Sequence, residues 1–209
     1  MHQHSHGELP ADVHQLRRVG IVLVLTLGFV AIQLLVGFSA HSLAVLTDAA
    51  HNFTDAIGIG LVLSATWIVR RKSSEPSTSI HRWEVFSAIA TALLMLIVAV
   101  WVMVEAVSRL GTPHHISAAS VVVVGCLGLA VNFVAVLVVR RGDTSHVAVR
   151  GVYLEVLTDT LGSAGVLIAG SCAWAFHWYR ADSIITIAIA LFMVPRSVVL
   201  LRDSVRLLN

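Results

Sequence analysis

Charge is the scarcest property of this 209-residue chain: only 12% of it is Asp, Glu, Lys or Arg, where an ordinary globular domain carries about 25%. So little charge cannot coat a water-soluble surface, and the 57% of residues that are apolar exceed what one core of this size can bury. Soluble-enzyme, disordered and collagen-like readings are excluded. Cysteine is almost missing as well. Cys126 and Cys172 lie far apart in apolar sequence, so there is no CxxC motif and no disulfide scaffold. Aromatic residues make up only 7%, too few to suggest a cage for an organic cation.

What the chain has instead is long apolar runs. A membrane-spanning helix needs about 20 mostly apolar residues, and six stretches qualify: residues 19–40, 42–69, 85–104, 116–139, 152–176 and 183–201. The runs are continuous rather than alternating, which predicts helices and argues against a β-barrel. The first run is too long for a signal-peptide core, and five others follow it. The expected fold is an all-α membrane protein, a six-transmembrane-helix bundle over residues 17–209. A histidine-containing polar tail precedes it at 1–16, and no cytoplasmic domain is expected after the last span.

The few basic residues fall unevenly. Arg17, Arg18, Arg70, Arg71, Lys72, Arg82, Arg140, Arg141, Arg150, Arg196, Arg202 and Arg206 fall on one side of the predicted membrane. Only Arg109 and Arg180 fall on the other. Lysine and arginine accumulate on the cytoplasmic side, so both termini are expected inside. The outer loops are short, and nothing outside the membrane is large enough to be a receptor or catalytic domain.

Charged side chains deep in a bilayer are costly, and they mark ion or proton paths by default. Here they concentrate on two spans. His51 and Asp55 are four residues apart and share a helix face, with Asp48 one turn earlier, and Glu155 and Asp159 repeat the spacing on the fifth span. At a 1.5 Å rise per residue, His51 and Asp55 lie about 13 and 20 Å in from one side and Asp159 roughly 12 Å in from the other. The two pairs can therefore meet near the middle of an about 30 Å hydrocarbon layer. The only permanent cation within the spans is Arg196, expected to snorkel to the cytoplasmic interface, so ion pairing cannot account for the four acids. One imidazole and three carboxylates form a donor set for a divalent metal. Protons compete for the same groups, which is the physical basis of an antiporter. HExxH is absent, so an intramembrane zinc protease is not expected and neither is any other enzyme.

These residues carry a resemblance. SLAVLTDAAHNFTDA, residues 42–56, resembles the second-span signature of the cation diffusion facilitator family of metal/proton antiporters. His51 and Asp55 match its HxxxD metal pair. YLEVLTDTLGS, residues 153–163, is similar to the fifth-span signature, with Glu155 where the family commonly has histidine. The resemblance implies a homodimeric exporter in the lipid bilayer, in a bacterial cytoplasmic membrane, that carries Zn2+ or another divalent transition metal outward in exchange for protons. Its implied metal site is His51, Asp55, Glu155 and Asp159, with His51 as a natural proton carrier because imidazole titrates in the physiological range. The metal is cargo, with no catalytic cofactor and no nucleic-acid partner. Carboxylate in place of imidazole shifts preference towards harder ions, so cobalt, cadmium, iron and manganese stand beside zinc. A proton-coupled organic-cation exporter and a non-transporting metal-binding protein are the alternatives.

Other polar positions carry plainer expectations. Asp48 is read as a hydrogen-bonded helix stabiliser, and Asn52 and Asn132 as interhelical bridges. Glu84 and Glu105 read as solvated ends of the third span, and His41, His114, His115, His146 and His177 as ordinary loop or interface histidines. His2, His4 and His6 can capture metal weakly. Gly58, Gly60, Gly162 and Gly165 are expected to permit close helix approach.

Overall fold

In a computed structural model, residues 13–71, 78–112, 114–140 and 147–206 are described, and among them there are six helices and no strand. They are α1 (Val13–Ala40), α2 (Leu43–Arg71), α3 (Thr78–Gly111), α4 (Ala118–Arg140), α5 (Val147–Phe176) and α6 (Arg180–Arg206). Each corresponds to one of the six apolar runs. The protein is a six-helix transmembrane bundle.

α1, α3, α5 and α6 outrun the apolar stretches that announce them. α3 has 34 residues where hydropathy marks only 85–104, and α1 begins at Val13, within the segment expected to be a polar tail. Hydropathy reads where a helix meets lipid, whereas its backbone ladder continues through polar turns on either side. Residues 1–12, and with them His2, His4 and His6, lie outside the described residues, as does His146.

By length and composition, α1, α3, α4, α5 and α6 can cross a membrane unaided. Among the described residues α2 is not one of these, and Asp48, His51, Asn52 and Asp55 interrupt its apolar run. Packing accounts for it. α2 contacts α1, α3, α5 and α6, and Thr47, Asp48, His51, Asn52, Thr54 and Asp55 are all buried. Lipid meets the other helices, whose outward faces carry large apolar groups such as Leu35, Ile97, Trp101, Leu161 and Phe192. A helix shielded by its neighbours can carry what a lipid-facing helix cannot.

α4 lies along α5, α3 along α6 and α1 along α2, with α1 also on α4. Two apolar clusters fill the bundle. One contains Ala44, Val45, Val121, Val124, Val166 and Ala169, and the other Val19, Val22, Ile59, Ala135, Val139 and Val156. Along α2, α4 and α5 the polar residues fall between the two. Hydroxyls within the spans return to their own helices: Thr47, Thr54, Thr160, Thr186 and Ser197 each donate to the carbonyl four residues earlier. That leaves no hydroxyl proton facing hydrocarbon at these positions.

The close approaches are made by only some of the expected glycines and by others besides. Among the described residues, Gly58 has no neighbouring group within 4 Å of where a Cβ would sit, and Gly60 has only Leu23 Cδ2 at 3.9 Å. The tight contact is between α4 and α5, where a Cβ on Gly125 would lie 2.8 Å from the backbone of Leu167 and one on Gly170 would lie 2.8 Å from the Val122 amide. Gly162 and Gly165 do serve as expected, against Asp48 of α2 and Ile185 of α6 respectively.

One end of the bundle is tied with hydrogen bonds. α1 ends in a left-handed residue, His41 (φ 56°), with His41 N–H donating to the Phe38 carbonyl and Ser42 N–H to Gly37. This is a Schellman-type stop. Arg109, at the end of α3, donates to the His41 carbonyl at 3.0 Å and to Glu105 at 2.9 Å, so Glu105 is an ion-pair partner rather than a merely solvated end. The Ser117 amide donates to Ala40. His115 stacks edge-on against Tyr179, with ring centroids 4.6 Å apart.

Candidate metal centre

The i, i+4 spacing on α2 places His51 and Asp55 on the face turned towards α5, and Asp159 on α5 meets them. His51 Nε2 lies 3.7 Å from Asp55 Oδ2 and 3.9 Å from Asp159 Oδ1. One donor atom from each of the three residues lies within 4.8 Å of the other two. A tetrahedral ion with bonds of about 2.0–2.2 Å to nitrogen and oxygen needs donors about 3.3–3.5 Å apart. A contraction of up to about 1.5 Å therefore brings this trio to coordination distance. All three side chains are buried. Among the described residues neither nitrogen of His51 has a hydrogen-bond partner, although the residue is only 2% exposed. An unpartnered imidazole in a membrane interior costs free energy unless something binds it.

Three of the four sequence-predicted ligands thus come together. The fourth, Glu155, lies on α5 one turn before Asp159, and its side chain lies outside the described residues. The side chain of Glu84 does too.

A cavity of about 180 Å³ flanks the cluster between α2, α5 and α6. His51 reaches it, and Gly162, Gly165, Ile189 and Phe192 form much of its largely apolar wall.

Arg196 departs from expectation. Rather than snorkelling away from the acids, its Nη1 donates to Asp55 Oδ2 at 3.1 Å. The side chain is one third exposed, against 6% for Asp55. α6 packs on α2, and the long arginine stem spans the remaining gap while part of it stays near the surface.

Asp48 belongs to a separate polar group, as expected of a helix stabiliser. Gln33 Nε2 of α1 donates to Asp48 Oδ2 at 2.6 Å, and Asn52 Nδ2 donates to Gln33 Oε1 at 2.9 Å. All three residues are at most 1% exposed. Gln33 is the partner that sequence reading missed, its only sign being an amide within an otherwise apolar run. On the far side, Asp48 Oδ1 rests against Gly162, where a Cβ would collide with it. Asn132 of α4 donates to Ser163 of α5 at 3.3 Å, so both asparagines bridge helices. Gly162→Ala is expected to destabilise the fold by about 1–3 kcal/mol through overpacking. Thermal unfolding in detergent tests this, and an unchanged midpoint would contradict the contact.

Asp182 is the other missed residue. It sits in the first turn of α6, 2% exposed, and caps a different helix. Asp182 accepts from Ser42 Oγ at 2.5 Å and from the amides of Leu43 at 2.9 Å and Ala44 at 3.4 Å. Ser42 Oγ in turn accepts from the Val45 amide at 3.2 Å. The first turn of α2 is thereby satisfied by its own serine and by α6.

Comparison with known proteins places this geometry. Residues 19–209 match the cation efflux transmembrane domain. The chain is 36% identical to the metal cation efflux system protein CzcD of Cupriavidus metallidurans over 98% of its own length and 64% of that protein. It is 30% identical to the zinc transporter ZitB of Escherichia coli over 98% of its length and 66% of ZitB. A cadmium, cobalt and zinc/H(+)-K(+) antiporter of Bacillus velezensis is 28% identical over the same shares. The chain therefore spans just under two thirds of the length of these curated relatives. Its apolar helices and its bacterial relatives make it a multi-pass integral protein of the bacterial cytoplasmic membrane. With nearly all of its length matched to that transmembrane domain, the chain belongs to the cation diffusion facilitator family.

Proposed function

We propose that this chain is the membrane part of an exporter that moves divalent transition-metal ions, zinc foremost, out of the cytoplasm in exchange for protons. The observation that carries the reading is the convergence of His51, Asp55 and Asp159 from α2 and α5 in the bundle interior. Glu155 completes the set as a fourth ligand. An imidazole with carboxylates suits zinc, cobalt and other first-row ions, and the relatives' names speak of zinc, cobalt and cadmium. Every one of these ligands must lose its proton to bind metal, so protonation releases the ion and ion binding releases protons. The arginine-rich ends of the helices face the cytoplasm, by the positive-inside rule. The exporter works as a homodimer.

Reconstituted vesicles with an acidic lumen test the reading directly: external zinc should accumulate inside as protons leave. Absence of uptake for zinc, cobalt, cadmium, iron and manganese alike would overturn it. Selectivity tests the fourth ligand. Glu155→His replaces a harder oxygen donor with imidazole, and the ratio of zinc to manganese uptake is expected to rise several-fold. An unchanged ratio would remove Glu155 from the ligand set.

A further inference from the structure

Asp55 Oδ2 has two claimants. It is the oxygen nearest His51 Nε2, at 3.7 Å, and so faces the point where a shared ion would sit. The same atom accepts from Arg196 Nη1 at 3.1 Å. A carboxylate oxygen shared between a guanidinium and a divalent ion holds each of them less strongly than it would hold one alone, and the two cations repel one another across a buried, weakly screened site.

We infer that Arg196 is a tethered counter-cation that competes with the metal for Asp55, weakening metal affinity so that the bound ion can leave again. The inference rests on the metal-site reading above and adds to it a residue outside the ligand set. Two further features favour it. Arg196 has somewhere to go: its side chain is one third exposed, so the guanidinium can withdraw along its stem towards the interface when an ion takes the oxygen. Its backbone can move too. Pro195 immediately precedes it inside α6 and cannot donate the amide bond to Leu191, which makes this the turn where α6 bends most readily. Arginine suits the post because it stays charged at any pH the protein meets. Asp55 therefore has a positive partner throughout the cycle, whether metal or guanidinium. Without that exchange, each departure of the ion would expose an uncompensated carboxylate in the bundle interior.

Zinc binding to the detergent-solubilised full chain, at one fixed pH and by competition with a chromophoric chelator, tests the inference. Arg196→Gln is expected to tighten zinc binding about tenfold or more, the scale on which one adjacent full charge acts on a carboxylate. Arg196→Lys keeps a cation and is expected to stay within about threefold of wild type, since the point charge remains though the fork is lost. In vesicles, Arg196→Gln should lower KM and maximal rate together, because a tighter ion leaves more slowly. A purely structural arginine would lower the rate without tightening binding. The wild-type protein supplies an independent measure: saturating zinc should raise the rate at which phenylglyoxal modifies Arg196, read by peptide mass spectrometry, as the guanidinium leaves Asp55. Equal or weaker zinc binding by Arg196→Gln overturns the inference alone, as does zinc-independent modification of Arg196. Failure of wild type and Arg196→Gln both to bind zinc overturns the metal-site reading and this inference with it.

Discussion

Asp159→Ala is expected to abolish metal uptake, lowering it about a hundredfold or more in vesicles with an acidic lumen. Asp159 is the described α5 member of the buried trio, so its loss leaves a histidine and a carboxylate on a single helix, with Glu155 alone to answer from α5. Even residues that only support a ligand typically contribute 10- to 100-fold in metal affinity, and a direct ligand contributes at least that. The charge matters as much as the bond. A divalent ion drawn from water into the bundle must be neutralised there, and Asp55 already shares its oxygen with Arg196, which leaves Asp159 a larger part of that task. Asp159→Asn separates the two effects. It keeps the volume and one acceptor oxygen but removes the negative charge, so nearly as deep a loss is expected. Size-exclusion and circular-dichroism profiles matching wild type would show that the fold survives. Uptake above about a tenth of wild type in either variant would remove Asp159 from the transport path.

The trio was legible because it depends on local spacing. His51 and Asp55 share a face by the arithmetic of the helix, and the depth of Asp159 follows from the span boundaries. The polar character of Asn52 and Asn132 within apolar runs likewise marked them as interhelical bridges, and that of Asp48 marked it as a hydrogen-bonded helix stabiliser. What the sequence could not show is which helix stands beside which. Arg196 looked free to snorkel because nothing along α6 announces that Asp55 lies across from it, 141 positions away in the chain. Half of the expected close-approach glycines were misplaced for the same reason. Gly58 and Gly60 stand in as good a small-residue pattern as Gly125 and Gly170, but only the latter face a neighbouring backbone. On α1, α3, α5 and α6 the helices extend beyond the expected spans, because a helix persists beyond the lipid that its apolar residues register. α1 and α2 meet where expected because the turn between them is tight. Ser42 is a good cap by residue type, and the left-handed His41 stops α1 one residue before it.

Asp182→Ala is expected to destabilise the protein by about 3 kcal/mol and to loosen the metal centre although it lies outside it. The carboxylate accepts one hydroxyl and two amide donors at the start of α2, all in a buried setting. A bond to a charged acceptor is worth about 1.5–3 kcal/mol, and a buried donor stripped of its acceptor costs 1–3 kcal/mol. The negative group also sits against the positive end of the α2 dipole. Ser42 still caps Val45 in the variant, which keeps the loss below the sum of three bonds. Because His51 and Asp55 follow on the same helix two to three turns further on, fraying of the first turn of α2 reaches the site as a rotation or slide of that helix against α5. Zinc affinity should therefore fall by up to about tenfold alongside a drop of several degrees in the unfolding midpoint, since 1 kcal/mol moves it roughly 2–4 °C in a chain of this size. Asp182→Asn keeps one acceptor oxygen and is expected to lose about half as much. An Asp182→Ala protein that melts like wild type would show that the first turn of α2 does not need α6. If it melts early but binds zinc as tightly as wild type, the cap holds the bundle together without setting the position of His51.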